Sequence, residues 1–275
     1  MPLSANKLAF CSWSTQPNCP KCLIKSAADI GLSRVQLHLD PVALQPEWAD
    51  TRAALDDAGI SVISGMFTPL GEDYTTPATI KATGGVVPDE HWDNNVENFR
   101  KVAEVAKQFE LPYVSLHAGF IPEDDQAVHD RVADRLKQLA AILHDTAGAS
   151  LLLETGQETA ESLGRFLAHA DDKNLGVNFD PANMILYGMG DPIAAMKHLL
   201  PHIRQVHLKD ATRPPEPGAW GAEVTVGTGE VNWDAFFNVL KDAGYSGDMV
   251  IEREAGDDRI GDIKQAVAYA PQFFA

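Results

Sequence analysis

Short β-branched or apolar runs recur along the chain and alternate with longer amphipathic stretches. The runs lie at residues 8–13, 34–40, 60–67, 113–120, 150–155, 175–180, 203–210 and 248–254. Between them, apolar residues at helical spacing cover residues 92–109, 128–147, 160–169, 192–200 and 233–242. The pattern predicts eight strands that alternate with helices.

Eight such units predict a closed parallel barrel. A (β/α)₈ barrel, or TIM barrel, needs about 250 residues, and this chain has 275, of which 45% are hydrophobic. The alternative is a doubly wound open sheet, which normally carries a glycine-rich phosphate turn after its first strand. Residues 10–18, which follow the start of the first run, contain no glycine. We therefore predict an α/β fold in which residues 1–275 form a single TIM-barrel domain.

The last four predicted strands each end on a side chain that can bind a metal ion. These side chains are Glu154, Asp180, His207 and Glu252. Successive side chains of a strand point to opposite faces, and all four belong to one face, while the other face is apolar. The polar face also carries Asn178, Lys209 and Glu254. The alternation predicts an inward-facing cluster at the carboxyl ends of the strands, where active sites of this fold lie.

Three carboxylates and one imidazole form a hard donor set that consists mostly of oxygen. Such a set suits Mn²⁺, Mg²⁺ or Co²⁺, and the histidine also allows Zn²⁺. We expect a divalent metal ion, with Mn²⁺ as the first choice. Four ligands leave open positions on a five- or six-coordinate ion, so two adjacent oxygens of a hydroxy-carbonyl substrate could bind there.

Two of the four predicted ligands are also candidate catalytic residues. A chelated carbonyl acidifies the neighbouring C–H group, and a carboxylate on each face of that carbon could remove or return a proton. Glu154 and Glu252 are our candidates for this acid and base chemistry. The alternative is that both glutamates only bind the metal and another group moves the proton.

Further residues are candidates for contacts with the substrate. His117 lies on the inward face at the end of the fourth strand, and Lys209 shares the face of His207, where it could stabilise an oxyanion. Other candidates for the pocket wall or for anion contacts are His38, Asp40, Trp13, Trp220, Arg213 and Arg253. The alternatives are core packing for the aromatic residues and a salt bridge to a neighbouring carboxylate for Lys209.

Two short motifs have weaker functional interpretations. Cys19-Pro-Lys-Cys22 lacks the second cysteine pair of a zinc site, and we interpret Cys19 and Cys22 as loop cysteines rather than as a thioredoxin-like motif. The glycines at residues 226–233 lack the lysine of a phosphate-binding loop. We expect them to shape a turn before a helix capped by Asn232. Long connections at residues 68–91 and 211–232 are expected to be structureless loops with a role as lids or in binding.

Charge and hydropathy exclude several classes of partner. The formal net charge is −17, with no basic stripe, which disfavours a nucleic-acid backbone as a partner. No apolar run approaches the roughly 18 residues of a membrane-spanning helix. The first residues lack the pattern of a secretory signal, and three cysteines are not the even set of a disulfide framework. We expect a cytoplasmic protein without a membrane partner.

Four longer motifs together resemble a known family. They are LETGQETAESL, GVNFDPANMILYGMGDP, IRQVHLKDA and VGTGEVNWDAFFNVLKDAGYSGDMVIEREAG. The chain is similar to the sugar phosphate isomerase/epimerase family of xylose isomerase-like TIM barrels. The resemblance implies that Glu154, Asp180, His207 and Glu252 hold a divalent metal, with the two glutamates as the acid/base pair of ketose 3-epimerases.

The resemblance leaves several reactions open, since the superfamily also contains dehydratases, lyases of 3-keto-glycosides and DNA-repair endonucleases. Asn183 stands where the epimerases and the endonucleases have a histidine, and an asparagine there could bind a substrate hydroxyl. We predict an isomerase or epimerase of a ketose, keto-sugar or keto-inositol that acts through an enediolate. The alternative is a lyase or dehydratase that performs β-elimination, and a third hypothesis is a non-catalytic sugar-binding barrel. The expected partner is a small sugar, and a homo-oligomer stays open.

Overall fold

Eight parallel strands close into a barrel in the computed structural model, which describes residues 3–216 and 218–274. The barrel strands are β1 (Leu8–Cys11), β2 (Arg34–His38), β3 (Ser61–Met66), β4 (Tyr113–Leu116), β5 (Ser150–Glu154), β6 (Leu175–Phe179), β7 (Ile203–Leu208) and β10 (Met249–Ile251). Their order around the barrel is β1-β10-β7-β6-β5-β4-β3-β2. Strands β8 (Asp210–Thr212) and β9 (Ala222–Val224) form a separate antiparallel hairpin. The prediction of a (β/α)₈ barrel is confirmed.

Helices surround the barrel and follow the predicted periodicity. They are α1 (Pro20–Ile30), α2 (Leu39–Leu44), α3 (Thr51–Asp57), α4 (Pro77–Thr83), α5 (Trp92–Gln108), α6 (Gln126–Ala147), α7 (Ala160–Ala170), α8 (Pro181–Leu186), α9 (Pro192–Leu199), α10 (Trp233–Asp242) and α11 (Arg259–Tyr269). The five predicted helices correspond to α5, α6, α7, α9 and α10, with ends that agree within two residues. Within the described residues, no helix has the length and apolarity needed to cross a bilayer.

Three local predictions were wrong. The connections at residues 68–91 and 211–232 are not structureless, because the first contains α4 and the second contains the β8–β9 hairpin. Cys19 and Cys22 are not loop cysteines, because Cys19 caps α1 and Cys22 lies in its first turn. The helix α4 and the β8–β9 hairpin escape periodicity analysis, since they span too few residues to show a repeat.

The main apolar core lies between the strands and the helices, and the apolar cluster inside the barrel is small. Outward-facing residues such as Val177 and Val206 are fully buried in the large outer cluster. Inside the barrel, a small apolar cluster of Ala9, Cys11, Ile63 and Val250 stands apart from it.

A layer of polar side chains occupies another part of the barrel interior. Gln36 Nε2 donates to Ser115 Oγ at 2.8 Å, and Gln205 Nε2 donates to Ser64 Oγ at 2.8 Å. All four residues are buried. TIM barrels usually fill this space with branched aliphatic side chains. Buried polar groups are stable when they are hydrogen-bonded, as in these two pairs. We call this layer beneath the barrel mouth, formed by Gln36, Ser64, Ser115 and Gln205, the polar floor.

The segment that includes α4 is held against the barrel by a close backbone contact at Gly85. Gly85 has φ +66°, and a Cβ there would collide with the carbonyl group of Ala118 and the backbone nitrogen of Gly119. We expect Gly85→Ala to lower the free energy of unfolding in urea by about 3 kcal/mol, from left-handed strain and overpacking together. Gly148→Ala is the matched control, because Gly148 has φ +68° with open space around it, and should cost about 1 kcal/mol. Equal losses in the two variants would contradict this contact.

Candidate metal centre and substrate cavity

The four predicted ligands meet at the barrel mouth. His207 Nδ1 lies 3.4 Å from Glu154 Oε1, 3.5 Å from Asp180 Oδ2 and 3.4 Å from Glu252 Oε2. One donor atom from each of the four residues lies within 4.8 Å of all the others. All four side chains are buried. Strand parity therefore brings three carboxylates and one imidazole to a common point.

Local structure fixes the orientation of Asp180. This residue follows β6 and caps α8, and its Oδ1 accepts hydrogen bonds from the backbone nitrogens of Ala182 at 2.7 Å and Asn183 at 3.0 Å. Pro181 at the first helical position starts the helix immediately after it. The other oxygen, Oδ2, is buried and has no hydrogen-bond partner. The cap thus aims one free carboxylate oxygen at the centre of the cluster.

His207 is oriented from beneath by the polar floor. Its Nε2 lies 2.8 Å from Gln36 Oε1, which can only accept a hydrogen bond, and 2.9 Å from the side-chain amide of Asn178. A hydrogen on Nε2 that is donated to Gln36 leaves the lone pair on Nδ1, facing the carboxylates. Nδ1 is buried and has no hydrogen-bond partner.

The donor set fits a divalent cation. Two buried atoms without partners, His207 Nδ1 and Asp180 Oδ2, point at each other and at two further carboxylate oxygens. Burial lowers the pKa of His207, but the charges of Glu154 and Glu252 outweigh burial and raise that pKa well above its usual value. For the carboxyl group of Asp180, burial has the opposite effect and raises the pKa above its usual value. Buried carboxylates without a nearby positive charge are unstable. A cation bound at the centre of the cluster would supply that charge.

Both candidate catalytic glutamates are held by hydrogen bonds. Glu252 Oε1 accepts from Trp13 Nε1 at 2.7 Å, and its Oε2 accepts from Lys209 Nζ at 2.8 Å. Glu154 Oε1 accepts from Asn183 Nδ2 at 3.0 Å. Burial raises the pKa of Glu252, but Lys209 and His207 outweigh it and bring that pKa well below the usual value. The pKa of Glu154 is also lowered, because nearby histidine charges outweigh its burial. Both carboxyl groups are therefore ionised at neutral pH.

Lys209 is a buried cation beside the metal cluster. Its Nζ donates to Glu252 Oε2 at 2.8 Å and to Glu254 Oε2 at 2.7 Å. Burial lowers the pKa of Lys209, but these carboxylates outweigh it and raise the pKa well above its usual value. The side chain therefore stays charged, and its ammonium group stands beside one edge of the metal cluster.

A cavity of about 490 Å³ adjoins the cluster, and Glu252 is the cluster residue that lines it. Its lining includes five of the residues that sequence analysis suggested for the pocket: Trp13, His38, His117, Asn183 and Lys209. Trp220, which lies between β8 and β9, also lines the cavity. Its ring packs edge-on against that of Tyr187, with ring centroids 5.0 Å apart. The mixture of aromatic walls and a few converging polar groups is typical of small-molecule sites.

Two arginines do not reach this cavity. Arg213 is exposed and pairs with Glu230, with Nε to Oε2 at 2.6 Å, beside a different pocket. Arg253 is buried but pairs with Glu223 and Asp262. Asp40 accepts from the backbone nitrogen of Thr68 and lies 3.1 Å from His38 Nε2, so it supports His38.

Sequence analysis missed seven residues of the cavity wall, among them Glu72, Tyr74, Tyr187 and Glu223. Glu72 and Tyr74 come from the segment before α4, Tyr187 follows α8, and Glu223 lies in β9. Glu72 accepts from the backbone nitrogen of Gly85 at 2.9 Å and from Tyr74 Oη at 3.2 Å. Burial raises the pKa of Glu72 above its usual value. For Glu72, Tyr74 and Glu223 the signal in the sequence was the length of the two connections, which predicted binding loops without indicating a residue; Tyr187 lies outside both connections.

The glycine-rich turn has an internal partner. Asp210 accepts hydrogen bonds from the backbone nitrogens of Gly227 at 2.9 Å, Gly229 at 3.1 Å and Val231 at 3.1 Å, and from Trp233 Nε1 at 2.9 Å. Its carboxylate occupies the space where a phosphate would sit in a phosphate-binding loop. The turn therefore fastens the seventh connection to β8, and Asn232 caps α10 as predicted.

Substituting one ligand tests the metal centre directly. We expect Asp180→Asn to weaken Mn²⁺ binding about 100-fold, because it removes one charged oxygen while asparagine still caps α8. Isothermal titration with Mn²⁺ checks this. The matched control is Asp191→Asn, since Asp191 caps α9 by accepting from the backbone nitrogen of Ala194 at 2.7 Å. Unchanged Mn²⁺ affinity in Asp180→Asn would show that Asp180 is not a ligand.

Comparisons with solved structures identify proteins of similar architecture. The crystal structure of a xylose isomerase domain protein from Planctomyces limnophilus is 32% identical and covers 97% of this chain and 95% of its own, with a TM-score of 0.85. A xylose isomerase-like TIM-barrel protein from Mycobacterium smegmatis in complex with magnesium is 21% identical, covers 93% and 87%, and has a TM-score of 0.71. A D-psicose 3-epimerase with D-tagatose from Clostridium cellulolyticum H10 is 13% identical, covers 98% and 99%, and has a TM-score of 0.73. The last two comparisons show a shared fold.

Sequence comparisons point the same way. The family model described as xylose isomerase-like TIM barrel matches residues 24–273. An inosose dehydratase from Clostridium tetani is 19% identical over 225 residues, which cover 78% of this chain. The chain spans 60% of the length of that curated relative.

Proposed function

The chain belongs to the xylose isomerase-like TIM-barrel family, and from this premise we propose that it is a divalent-metal-dependent isomerase or epimerase of a ketose, keto-sugar or keto-inositol. One observation carries the proposal. Two ionised glutamates, Glu154 and Glu252, stand on β5 and directly after β10, three strand positions apart around the barrel, and both face one buried donor cluster. Carboxylates on two sides of one substrate carbon allow a proton to leave one face and return to the other.

Glu154, Asp180, His207 and Glu252 would hold the cation. When bound, a divalent ion polarises a substrate carbonyl and so acidifies the neighbouring C–H group. Mn²⁺ is our first choice for the oxygen-rich set, and Mg²⁺ and Co²⁺ follow. The named M. smegmatis neighbour, which is a complex with magnesium, supports a hard divalent ion.

The side chains around the two glutamates assign the remaining roles. Lys209 and Trp13 hold Glu252, so its carboxylate keeps one orientation while a proton moves. The Lys209 ammonium would also stabilise negative charge on a substrate oxygen at the cavity edge. Asn183 and His117 stand beside Glu154, with His117 Nε2 at 3.7 Å from Glu154 Oε1, and would bind substrate hydroxyls. The flat face of Trp13 suits the C–H groups of a sugar.

A lyase or dehydratase is the second candidate, and Glu72 favours it. β-Elimination needs an acid that protonates the departing oxygen, and burial raises the pKa of this cavity-lining carboxyl group. Tyr74, which donates to Glu72, lines the same wall. The named relative from C. tetani is an inosose dehydratase, which supports the same chemistry.

Proton exchange in D₂O distinguishes the two candidates. The purified protein with Mn²⁺ would be incubated with ketoses, inososes and 3-keto-glucosides, and the products would be analysed by NMR after removal of the metal. Deuterium in an isomeric or epimeric product would support the isomerase, whereas an unsaturated or cleaved product would select the lyase. A protein that binds Mn²⁺ and exchanges no proton on any of these substrates would contradict both and favour the sugar-binding barrel.

A further inference from the structure

Cys19 and Cys22 occupy a helix start in a way that favours thiol chemistry. Cys19 caps α1, and its Sγ accepts a hydrogen bond from the backbone nitrogen of Cys22 at 3.3 Å. Pro20 follows at the first helical position, and the first turn contains no acidic side chain. The positive end of the helix dipole therefore faces the sulfur of Cys19 with no nearby negative charge on the helix to oppose it.

The two thiols are also in contact and differ in character. The side-chain interaction with Cys22, together with the hydrogen bond from the Cys22 backbone nitrogen, lowers the pKa of Cys19. The same side-chain interaction raises the pKa of Cys22, whose single S–H group donates to Asn18 Oδ1 at 2.9 Å. Cys19 is thus the better nucleophile for attack on a disulfide, and Cys22 stays protonated until a mixed disulfide has formed on Cys19.

Both sulfurs can be reached from solvent, unlike the third cysteine. Cys19 and Cys22 are partly exposed, whereas Cys11 is fully buried inside the barrel. Side chains three positions apart at a helix start lie about 5–6 Å apart at Cβ, and a disulfide needs a Cβ separation of roughly 3.5–4.5 Å. A small tightening of the first turn and a rotation of the Cys22 side chain away from Asn18 would bring the sulfurs together.

We propose that Cys19 and Cys22 form a redox-active dithiol that a small disulfide of the glutathione class oxidises to an intramolecular disulfide. The Cys19 thiolate attacks the small disulfide, forms a mixed disulfide and releases one small thiol. Cys22 then loses its proton and attacks the Cys19 sulfur, which forms the Cys19–Cys22 bond and releases the second small thiol. Two electrons pass from the protein to the small disulfide, so one disulfide is reduced as another forms.

The test uses the whole protein and glutathione. Reduced protein is equilibrated without oxygen against a series of ratios of reduced to oxidised glutathione, quenched with acid, alkylated and analysed by intact and peptide mass spectrometry. We expect a loss of two hydrogens confined to the peptide that contains Cys19 and Cys22, reversed at high reduced glutathione. Failure to form this bond at any ratio, or a bond that includes Cys11, would overturn the proposal.

Single variants separate the two roles. Cys22→Ser should accumulate a mixed disulfide between Cys19 and glutathione, because the second thiol is missing. Cys19→Ser should form such an adduct at least about tenfold more slowly, since the nucleophile with the lowered pKa is absent. Circular dichroism confirms that both variants fold. Equal rates of adduct formation in the two variants would contradict the assignment of Cys19 as the attacking thiol.

Discussion

Glu252→Gln is expected to reduce proton exchange from the substrate by about 10³-fold, the range that a positioned general acid or base contributes. Glutamine keeps the size of the side chain but cannot accept a proton in this role. It also disturbs the contact with Lys209, which donates to Glu252 Oε2 at 2.8 Å. We expect a similar loss for Glu154→Gln. Deuterium incorporation measured by NMR, at Mn²⁺ concentrations that saturate each variant, checks both.

Glu254→Gln is the matched control for this experiment. Glu254 also accepts a hydrogen bond from Lys209, at 2.7 Å, but it does not belong to the four-residue donor cluster. We expect this variant to lose less than about tenfold, because only an orienting contact is removed. If Glu254→Gln lost as much exchange as Glu252→Gln, the effect would lie in the pairing of Lys209 and not in proton transfer by Glu252.

Asp210→Asn is expected to lower the free energy of unfolding by at least about 3 kcal/mol, because each buried donor left without a partner costs about 1–3 kcal/mol. The Asp210 carboxylate accepts from four backbone nitrogens, those of Ala211, Gly227, Gly229 and Val231, and from Trp233 Nε1. An amide group would turn two hydrogens toward this ring of donors. Urea unfolding without added metal isolates the effect from the metal centre.

Asp234→Asn serves as the comparison for Asp210→Asn. Asp234 lies on the exposed side of the first turn of α10, so the change in charge is the same and the change in buried contacts is small. Its substitution should alter stability by less than about 0.5–1 kcal/mol. A similar loss in both variants would indicate that general electrostatics, and not the hydrogen bonds of the glycine-rich turn, determines the effect.

The sequence was sufficient to predict the barrel and the cluster of four because both depend on local regularities. Alternation along a strand determines which face a side chain occupies, so Glu154 and His207 could be assigned to the interior without coordinates. The closed barrel then brings the ends of all its strands to one mouth. The predictions needed only strand positions, and errors of a few residues at the strand ends did not change the faces.

The cavity wall depends on contacts between distant segments, which no local pattern encodes. Glu72 reaches the cavity because Gly85 allows its segment to pack on Ala118. Arg213 was a plausible anion contact by position along the chain, yet it pairs with Glu230, a partner that only the folded loop brings near. Asp210 is buried because of partners that lie 17 to 23 residues away in the glycine-rich turn.

The polar floor beneath His207 is expected to tolerate fewer substitutions than the loops around the cavity. Gln36 hydrogen-bonds both the imidazole of His207 and Ser115, so a single replacement there would disturb several partners at once. Tyr74 and Trp220 also line the cavity but lie on connections outside the barrel strands. If the proposed function holds, descendants of this chain can be expected to change substrate by remodelling two loops, while the side chains that orient His207 stay the same.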